Sequence, residues 1–254
     1  MNRTSNTDRL PSTAVDTTRP RPDRRHRDTA KAPGLDELIL VRHGYAHCNR
    51  QGIIAGPERA GLTEHGRAQA DALGGRLAIE GGVTAIHSST TRRAVQTASI
   101  LADTLGLPVQ ARPDLRVPDP GAAEGLPWAL ARARWATDPA NPIRPYPPDA
   151  EPWPEYLTRA GRELTDIIDN HPGGRVVVIG HAETVTAAYC VLLGVSDLGR
   201  LKLATDHGAR CIWRPVQEWD GVAVPARRWA LVSHNDVSHL PPALVTHPIA
   251  SSDP

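Results

Sequence analysis

The sequence predicts an α/β fold, a three-layer sandwich in which helices flank a mainly parallel central sheet. Short, unbroken apolar runs such as Glu37–Val41 and Arg175–Ile179 have the composition of strands that are covered on both faces. Segments with helical periodicity follow most of these runs, and glycines stand where the helices should end. Repeated strand–helix units of this kind place parallel strands in one sheet, with helices on both sides.

Strands and helices follow one another along most of the chain. The strands are predicted at Glu37–Val41, Val83–His87, Val109–Ala111 and Arg175–Ile179. The helices are predicted at Glu64–Glu80, from Thr90 or Thr91 to about Leu105, and from about Glu183 to Leu193. Thr63 has a side chain that can cap the first helix, and Gly81 and Gly82 end it. Near the C-terminus, Arg210–Trp213 and Trp229–Val232 predict a hairpin on the edge of the sheet.

A proline-rich stretch interrupts this regular order. Eleven prolines fall within residues 113–155, and proline disfavours both helix interiors and central strands. Two helices are still predicted near this stretch, at about Trp128–Trp135 and Glu155–Asp169. We interpret residues 113–170, approximately, as a Pro-rich helical cap insertion over one edge of the sheet rather than as an independent domain.

The N-terminal segment differs in composition from the rest of the chain. Residues 1–33 carry eight basic and four acidic side chains and almost no large apolar residues. Such a segment cannot bury enough surface to fold alone, and it lacks the apolar stretch of a signal peptide. We therefore expect residues 1–34 to be a disordered basic leader and residues 35–254 to form the α/β domain.

The overall composition argues against several classes of protein. A formal net charge of +1 gives no general reason to expect nucleic acid or a membrane surface as a partner. No apolar run approaches the roughly 20 residues of a membrane-spanning helix. Cys48, Cys190 and Cys211 are far apart in the chain, so neither a zinc ribbon nor a disulfide framework is indicated. Without an export signal, we expect a reduced, cytoplasmic protein.

Chemically active side chains come directly after the predicted strands. Arg42 and His43 follow the first strand, and His181 follows the most regular strand at the start of a helix. Arg93 lies in the opening turn of the helix after the second strand. Ligands of an open α/β sheet bind at the carboxyl ends of its strands, so we expect these residues to converge. Guanidinium groups and helix N-termini both favour phosphate, and the pattern therefore predicts a phosphate site.

A histidine among these cations has a specific chemical use. Neighbouring positive charges disfavour the protonated ring, which leaves a neutral imidazole that can attack phosphorus. The second histidine and the arginines can then stabilise charge on the transferring phosphoryl group. A zinc hydrolase would need a third ligand beside His43 and His181, and the sequence offers no clear one.

Several segments, in order, resemble the histidine phosphatase superfamily, the phosphoglycerate-mutase-like enzymes. They are Leu40–Gly44 with Asn49 after it, Leu62–Ala70, Ser88-Ser89 with Arg93–Ala98, Glu124-Gly125 and Val178–His181. In addition, Asn235–Leu240 is similar to the closing segment of the phosphatase branch. The resemblance covers about residues 35–242.

The resemblance implies a mechanism and a partner. His43 would be the nucleophile that becomes phosphorylated, and the phosphate pocket would be completed by Arg42, Arg93 and His181, with Asn49 assisting. The phosphoryl group would come from a small phosphorylated metabolite. Water would then hydrolyse the phosphohistidine, with no metal and no organic cofactor. The predicted edge hairpin also offers a surface through which two copies of the chain can pair as a homodimer.

One position departs from the pattern of the family. In the phosphatase branch, a glutamate two residues after the leucine that matches Leu115 serves as the proton donor, and here that position is Val117. Asp119 and Glu124 are the nearest replacements, and Glu183 is a third. General acid catalysis contributes about 10²–10⁴-fold. We therefore expect that the acid has moved, or that the substrate has a leaving group that needs no proton.

Two alternative functions stay open at this point. A mutase-type phosphotransferase would share the pocket, but it needs extra basic loops, and the insertion is rich in Pro and Trp rather than Lys. The loss of the acid at Val117 keeps open a catalytically altered member that binds or processes a phosphorylated biosynthetic intermediate.

Overall fold

The structure, a computed structural model, describes residues 34–55, 60–135, 147–171, 173–195, 203–219 and 222–246. The predicted leader lies outside these residues, apart from residue 34, and stays a prediction. Residues 136–146 of the predicted cap lie outside them as well. In the part of the chain that is described, no helix combines the length and the hydropathy needed to cross a lipid bilayer.

Six strands form one sheet at the centre of the domain. They are β1 (Glu37–Arg42), β2 (Val83–Ser89), β3 (Val109–Arg112), β4 (Arg175–Gly180), β5 (Arg210–Trp219) and β6 (Val222–Asp236). Their order across the sheet is β3-β2-β4-β1-β5-β6. The first four are parallel, and β5 and β6 form an antiparallel hairpin beside β1. The predicted α/β class, mainly parallel sheet and edge hairpin are confirmed.

The α-helices among the described residues follow the predicted order. They are α1 (His47–Gln51), α2 (Glu64–Glu80), α3 (Arg92–Leu105), α4 (Trp128–Arg134), α5 (Trp153–Asp169) and α6 (Ala182–Leu193). Thr63 caps α2 as predicted, because its hydroxyl oxygen accepts from the backbone N–H of Gly66 at 3.0 Å. Thr91 is the residue immediately before α3. The short helix α1 was not predicted.

β1 shows why its apolar run is unbroken. Leu38 and Leu40 are buried in one core together with residues of α5 and α6. Ile39 and Val41 are buried in a second core with residues of α2 and α3. Successive side chains of a strand point to opposite faces, so a strand between two helical layers needs apolar residues at every position. This arrangement is the predicted three-layer sandwich.

The predicted cap insertion is wrong in one respect, because it does not extend to residue 170. In α5, one stripe of residues spaced by three or four is buried in the same core as β1 and β4, namely Tyr156, Ala160, Leu164 and Ile167. A stripe of this kind has to be covered by another element. α5 therefore belongs to a layer of the sandwich, where it packs beside α6.

The described part of the insertion before α5 packs against the loop after α1. Trp128 and Ala131 of α4 form a small apolar cluster with Ile54. The backbone N–H of Ile54 donates to the carbonyl oxygen of Leu126 at 2.8 Å, which fixes the two segments to each other. That this region covers one edge of the sheet stays a prediction.

Candidate active site

The pairing of β1 with β4 brings two histidines together at the carboxyl ends of these strands. Arg42 lies opposite Gly180 in the parallel register, and a histidine follows each of them. The backbone N–H of His43 donates to the carbonyl oxygen of Gly180 at 3.0 Å. The ring centroids of His43 and His181 are 5.1 Å apart, with 67° between the ring planes. Two buried imidazoles therefore share one site.

The hydrogen bonds of His43 indicate which ring nitrogen carries the proton. Nδ1 lies 2.8 Å from the carbonyl oxygen of Gly44, and because a carbonyl oxygen can only accept, Nδ1 donates. Nε2 accepts from Nε of Arg93 at 3.1 Å. Burial lowers the pKa of His43 well below 6.5, and the charges of Arg93 and Arg42 lower it further. His43 is thus a neutral imidazole whose lone pair lies on Nε2.

Hydroxyl groups at the end of β2 and just beyond it lie against the second ring. Nε2 of His181 is 3.1 Å from Oγ of Ser89 and 3.3 Å from Oγ1 of Thr91. Burial lowers the pKa of His181 well below 6.5, and the charge of Arg93 adds to this effect. The backbone N–H of His181 donates to Oγ1 of Thr184, in the first turn of α6, at 3.0 Å. The ends of β1, β2 and β4 therefore meet at this site.

Two arginines stand beside the two rings. Arg93 is in the first turn of α3 and is 4% exposed. Arg42 is the last residue of β1, and its guanidinium donates to the carbonyl oxygen of Thr205 at 2.5 Å. Guanidinium groups bind phosphate oxygens strongly, and the N-termini of α3 and α6 favour an anion nearby. The geometry therefore suits a phosphate group.

The described residues do not bring metal-ligating side chains together as they bring the arginines and histidines together. Among the residues that the structure describes, no three His, Cys, Asp or Glu side chains form a group that could hold a metal ion. The arginines beside the histidines suit an anion instead.

Comparison with known proteins decides the family. Residues 38–219 match the sequence profile described as Histidine phosphatase superfamily (branch 1). The chain belongs to this superfamily. A metal-independent phosphoserine phosphatase from Arabidopsis thaliana is 30% identical over 212 residues, which cover 81% of this chain and 84% of that protein.

Other relatives include a longer protein and proteins described as mutases. A bifunctional protein from Mycobacterium tuberculosis is 33% identical over 184 residues, which cover 70% of this chain but 46% of that protein. Phosphoglycerate mutases match as well. A solved mycobacterial glucosyl-3-phosphoglycerate phosphatase has a TM-score of 0.67 over 79% of this chain and 99% of its own, and at 24% identity it shows the shared fold. The family and these relatives together indicate a phosphatase.

His207 is a third histidine at the site, and no pattern in the sequence predicted a role for it. It is 1% exposed, and its ring centroid lies 5.7 Å from that of His43. It precedes β5, which runs antiparallel to β1, so the start of β5 lies beside the end of β1. The site residues were predicted from their positions directly after parallel strands, and His207 instead comes before an antiparallel strand. The predicted edge hairpin was the signal that could have found it.

Asn49, the expected assistant in phosphate binding, lies in α1. Its Oδ1 accepts from the backbone N–H of Ala46 at 3.1 Å, so the side chain caps the helix in which it lies. Within the described residues, no hydrogen bond links Asn49 to His43 or His181. A part for Asn49 in phosphate binding stays a prediction.

Asp119 and Glu124, two of the candidate acids, are exposed. Oδ1 of Asp119 accepts from the backbone N–H of Gly121 at 2.9 Å, which holds this carboxylate within its own loop. Glu124 follows the short turn Gly121–Ala123, and its backbone N–H donates to the carbonyl oxygen of Gly121 at 3.1 Å. Among the described residues, Asp119 makes no hydrogen bond to the histidines.

Glu183, the third candidate acid, is partly buried in the first turn of α6. Burial lowers the pKa of Arg93, and its electrostatic interactions with Cys48 and with the Glu183 carboxylate oppose this effect. The Glu183 carboxylate therefore lies within electrostatic reach of a phosphate-site arginine, two residues beyond His181.

Proposed function

We propose that this chain hydrolyses phosphate monoesters of a small metabolite through a phosphohistidine on His43, with no metal ion and no organic cofactor. The observation that carries the proposal is the pair of hydrogen bonds on this ring. Nδ1 donates to the Gly44 carbonyl, and the lone pair of Nε2 faces the guanidinium of Arg93. An anion held by that guanidinium lies where Nε2 can attack its phosphorus atom.

The reaction consists of two displacements at phosphorus. In the first, Nε2 of His43 bonds to phosphorus while the bond to the ester oxygen breaks, and the alcohol leaves with a proton. Arg42, Arg93 and His181 bind the non-bridging oxygens and stabilise their charge. In the second, a water molecule attacks phosphorus and gives a proton to the carboxylate that protonated the alcohol in the first, and the Nε2–P bond breaks. Inorganic phosphate leaves, and His43 is neutral again.

Substrate binding has to change one contact in the pocket. Nε of Arg93 donates directly to Nε2 of His43, the atom that attacks phosphorus. A phosphate oxygen is a stronger acceptor than a neutral imidazole, because it is charged. The guanidinium of Arg93 therefore turns from the ring to the bound phosphate, and this movement frees the lone pair.

We place the proton donor for the leaving group at Glu183. Val117, which stands where the phosphatase branch has its glutamate, has no proton to give. The Glu183 carboxylate is within electrostatic reach of Arg93, whereas Asp119 is held by the backbone of its own loop. A well-placed donor contributes about 10²–10⁴-fold when the leaving group is a poor one.

The names of the relatives support a small substrate. They give phosphoserine for one relative and glucosyl-3-phosphoglycerate for another, and both are small phosphate esters. We expect an ester of this size, in the cytoplasm, and no nucleic acid partner. A homodimer would use β6, the last strand of the sheet, on which Leu231 and Val232 are 39% and 48% exposed.

The test is phosphate release from p-nitrophenyl phosphate in the presence of EDTA, for wild type, His43→Ala and His65→Ala. The leaving group of this ester needs no proton donor, so the assay reports on the nucleophile alone. His65 is a matched control because its ring lies against the carbonyl oxygen of Leu244, at 3.1 Å, rather than against His43. We expect wild type and His65→Ala to be active, and His43→Ala to lose about 10⁴-fold or more.

Radioactive phosphate from the substrate should also remain on the wild-type protein when it is denatured in alkali, and it should be absent from His43→Ala. A folded wild type that releases no phosphate contradicts the proposal. Transfer of the label to a second phosphoglycerate instead of water would establish the mutase-type phosphotransferase. Binding without turnover would establish the catalytically altered member.

A further inference from the structure

The loop before β5 places His207 in the phosphate pocket. The backbone N–H of Gly208 donates to the carbonyl oxygen of Arg42 at 3.0 Å, and this bond joins the loop to the end of β1. The ring of His207 lies 5.7 Å from that of His43, and the ring of His181 lies 5.1 Å from it. Two buried imidazoles therefore flank the nucleophile.

The two ring nitrogens of His207 have different surroundings. Nδ1 lies 3.1 Å from Oγ1 of Thr246, and the backbone N–H of His207 donates to the same oxygen at 3.3 Å. Nε2 is fully buried and has no hydrogen-bond partner among the described residues. Buried polar atoms in folded proteins are nearly always paired, so an orphan beside a reactive group calls for a ligand.

The contact with Thr246 bears on which ring nitrogen carries the proton. Oγ1 of Thr246 accepts the backbone N–H of His207 and still has a hydroxyl hydrogen, which it can donate to Nδ1. In the tautomer that we assign, Nδ1 accepts this hydrogen and Nε2 carries the ring hydrogen. Burial keeps the pKa of His207 well below 6.5, and the charges of Arg42 and Arg93 add to this effect. Nε2 is thus the donor of a neutral imidazole.

We propose that Nε2 of His207 donates to a non-bridging oxygen of the phosphoryl group while it is transferred to His43 and from His43 to water. The inference rests on the proposed function and adds a further catalytic residue to it. In an in-line displacement, the nucleophile and the leaving group lie on opposite sides of phosphorus. A donor beside the nucleophile therefore reaches the three equatorial oxygens and not the leaving group. His207 stabilises charge there and does not replace the missing acid.

Two substitutions at this position separate the two ring nitrogens. Asparagine places its amide group near the position of Nδ1, so His207→Asn keeps a partner for Thr246 and loses the group at Nε2. Glutamine places an N–H donor near the position of Nε2, so His207→Gln keeps the proposed donor and loses the contact with Thr246. His65→Asn is the matched control for the loss of a partly buried histidine near the pocket.

The measurements are kcat for p-nitrophenyl phosphate and inhibition by orthovanadate, which mimics the five-coordinate phosphorus. Removing one such donor costs about 10²–10³-fold in kcat. We expect this loss, and a similar weakening of vanadate inhibition, in His207→Asn. We expect His207→Gln to stay within about tenfold of wild type, which is well short of that loss, and His65→Asn to be unchanged. Equal losses of kcat in the two variants, or a larger loss in His207→Gln, would overturn the inference. If His207 acted only through its contact with Thr246, the variant that loses this contact, His207→Gln, would be the more damaged one.

A measurement on the wild type avoids any dependence on variants that fold poorly. In protein labelled with 15N-histidine, the Nε2 resonance of His207 can be assigned by correlation with the backbone resonances of the same residue. Its 15N chemical shift should change when orthovanadate is added. An unchanged resonance in a protein that vanadate inhibits would overturn the inference while leaving the proposed function in place. A wild type that hydrolyses no ester would remove the proposed function itself.

Discussion

At the carboxyl ends of β1 and β4, arginines lie beside histidines, whereas at the end of α2 they lie beside a carboxylate. In the pocket, the charges of Arg93 and Arg42 add to the effect of burial and hold the pKa of His43 low. In the second region, Oε2 of Glu80 lies 2.7 Å from Arg175 and 2.8 Å from Arg210. Arginine side chains thus keep the imidazole of His43 neutral in one region and keep the carboxylate of Glu80 charged in the other.

The difference has one physical cause and two consequences. A guanidinium disfavours a second positive charge nearby and favours a negative one. Beside an imidazole it yields a neutral ring with a lone pair, which is what a nucleophile needs. Beside Glu80, the guanidinium of Arg210, followed by those of Arg175 and Arg76, lowers the pKa of the carboxyl below 4.5 against the effect of burial. The result there is a group of ion pairs that stabilises the fold.

Replacing Arg93 by methionine removes a pocket arginine and should have a larger effect than replacing Glu183 or Glu80. We expect kcat/KM for p-nitrophenyl phosphate to fall by about 10³-fold, because a charged donor to the phosphate oxygens is lost. Arg92→Met is the matched control, since Arg92 is exposed and lies in the same turn of α3. Equal losses in the two variants would mean that general positive charge, rather than hydrogen bonds from Arg93 to the phosphate oxygens, supports the reaction.

Substitution of Glu183 tests the role of a carboxylate that interacts electrostatically with Arg93 in the pocket. In Glu183→Gln, we expect turnover of an alkyl phosphate to fall by about 10²-fold, because the leaving group loses its proton donor. Turnover of p-nitrophenyl phosphate should change far less. Asp119→Asn and Glu124→Gln serve as controls, and if either of them shows this dependence on the leaving group instead, the donor is that residue.

Glu80→Gln tests the other region and should have the smallest effect. We expect the free energy of unfolding to fall by about 1–2 kcal/mol in denaturant titrations at pH 7, since partly exposed charged hydrogen bonds are lost. Asp71→Asn, an exposed change on the same helix, should cost less. Activity on p-nitrophenyl phosphate should not change.

The pH dependence of this variant gives a further check on its cause. Because the pKa of Glu80 is lowered in the folded protein, its contribution is present above pH 4.5 and is lost as the pH falls toward the folded value. The difference between wild type and Glu80→Gln should therefore shrink below pH 4.5. A difference that stays constant there would contradict an electrostatic origin.

Local patterns were sufficient for most of the fold and for the centre of the site. The boundaries of α2 and its cap at Thr63 follow from helix periodicity and side-chain chemistry, which depend on neighbouring residues. His43 and His181 were located because each directly follows a parallel strand, and parallel strands bring their carboxyl ends to one edge.

Tertiary structure alone decided the remaining features. α5 is a layer of the sandwich rather than part of a cap, because its stripe through Tyr156 and Leu164 is buried against a sheet built from distant segments. His207 joins the pocket because β5 pairs antiparallel with β1, a contact between residues far apart in the chain. The sequence by itself determined most of the strands and helices and the two histidines that directly follow parallel strands. Which strand lies beside which, and in what direction, is fixed by non-local packing, and that packing decided which further side chains reach the nucleophile.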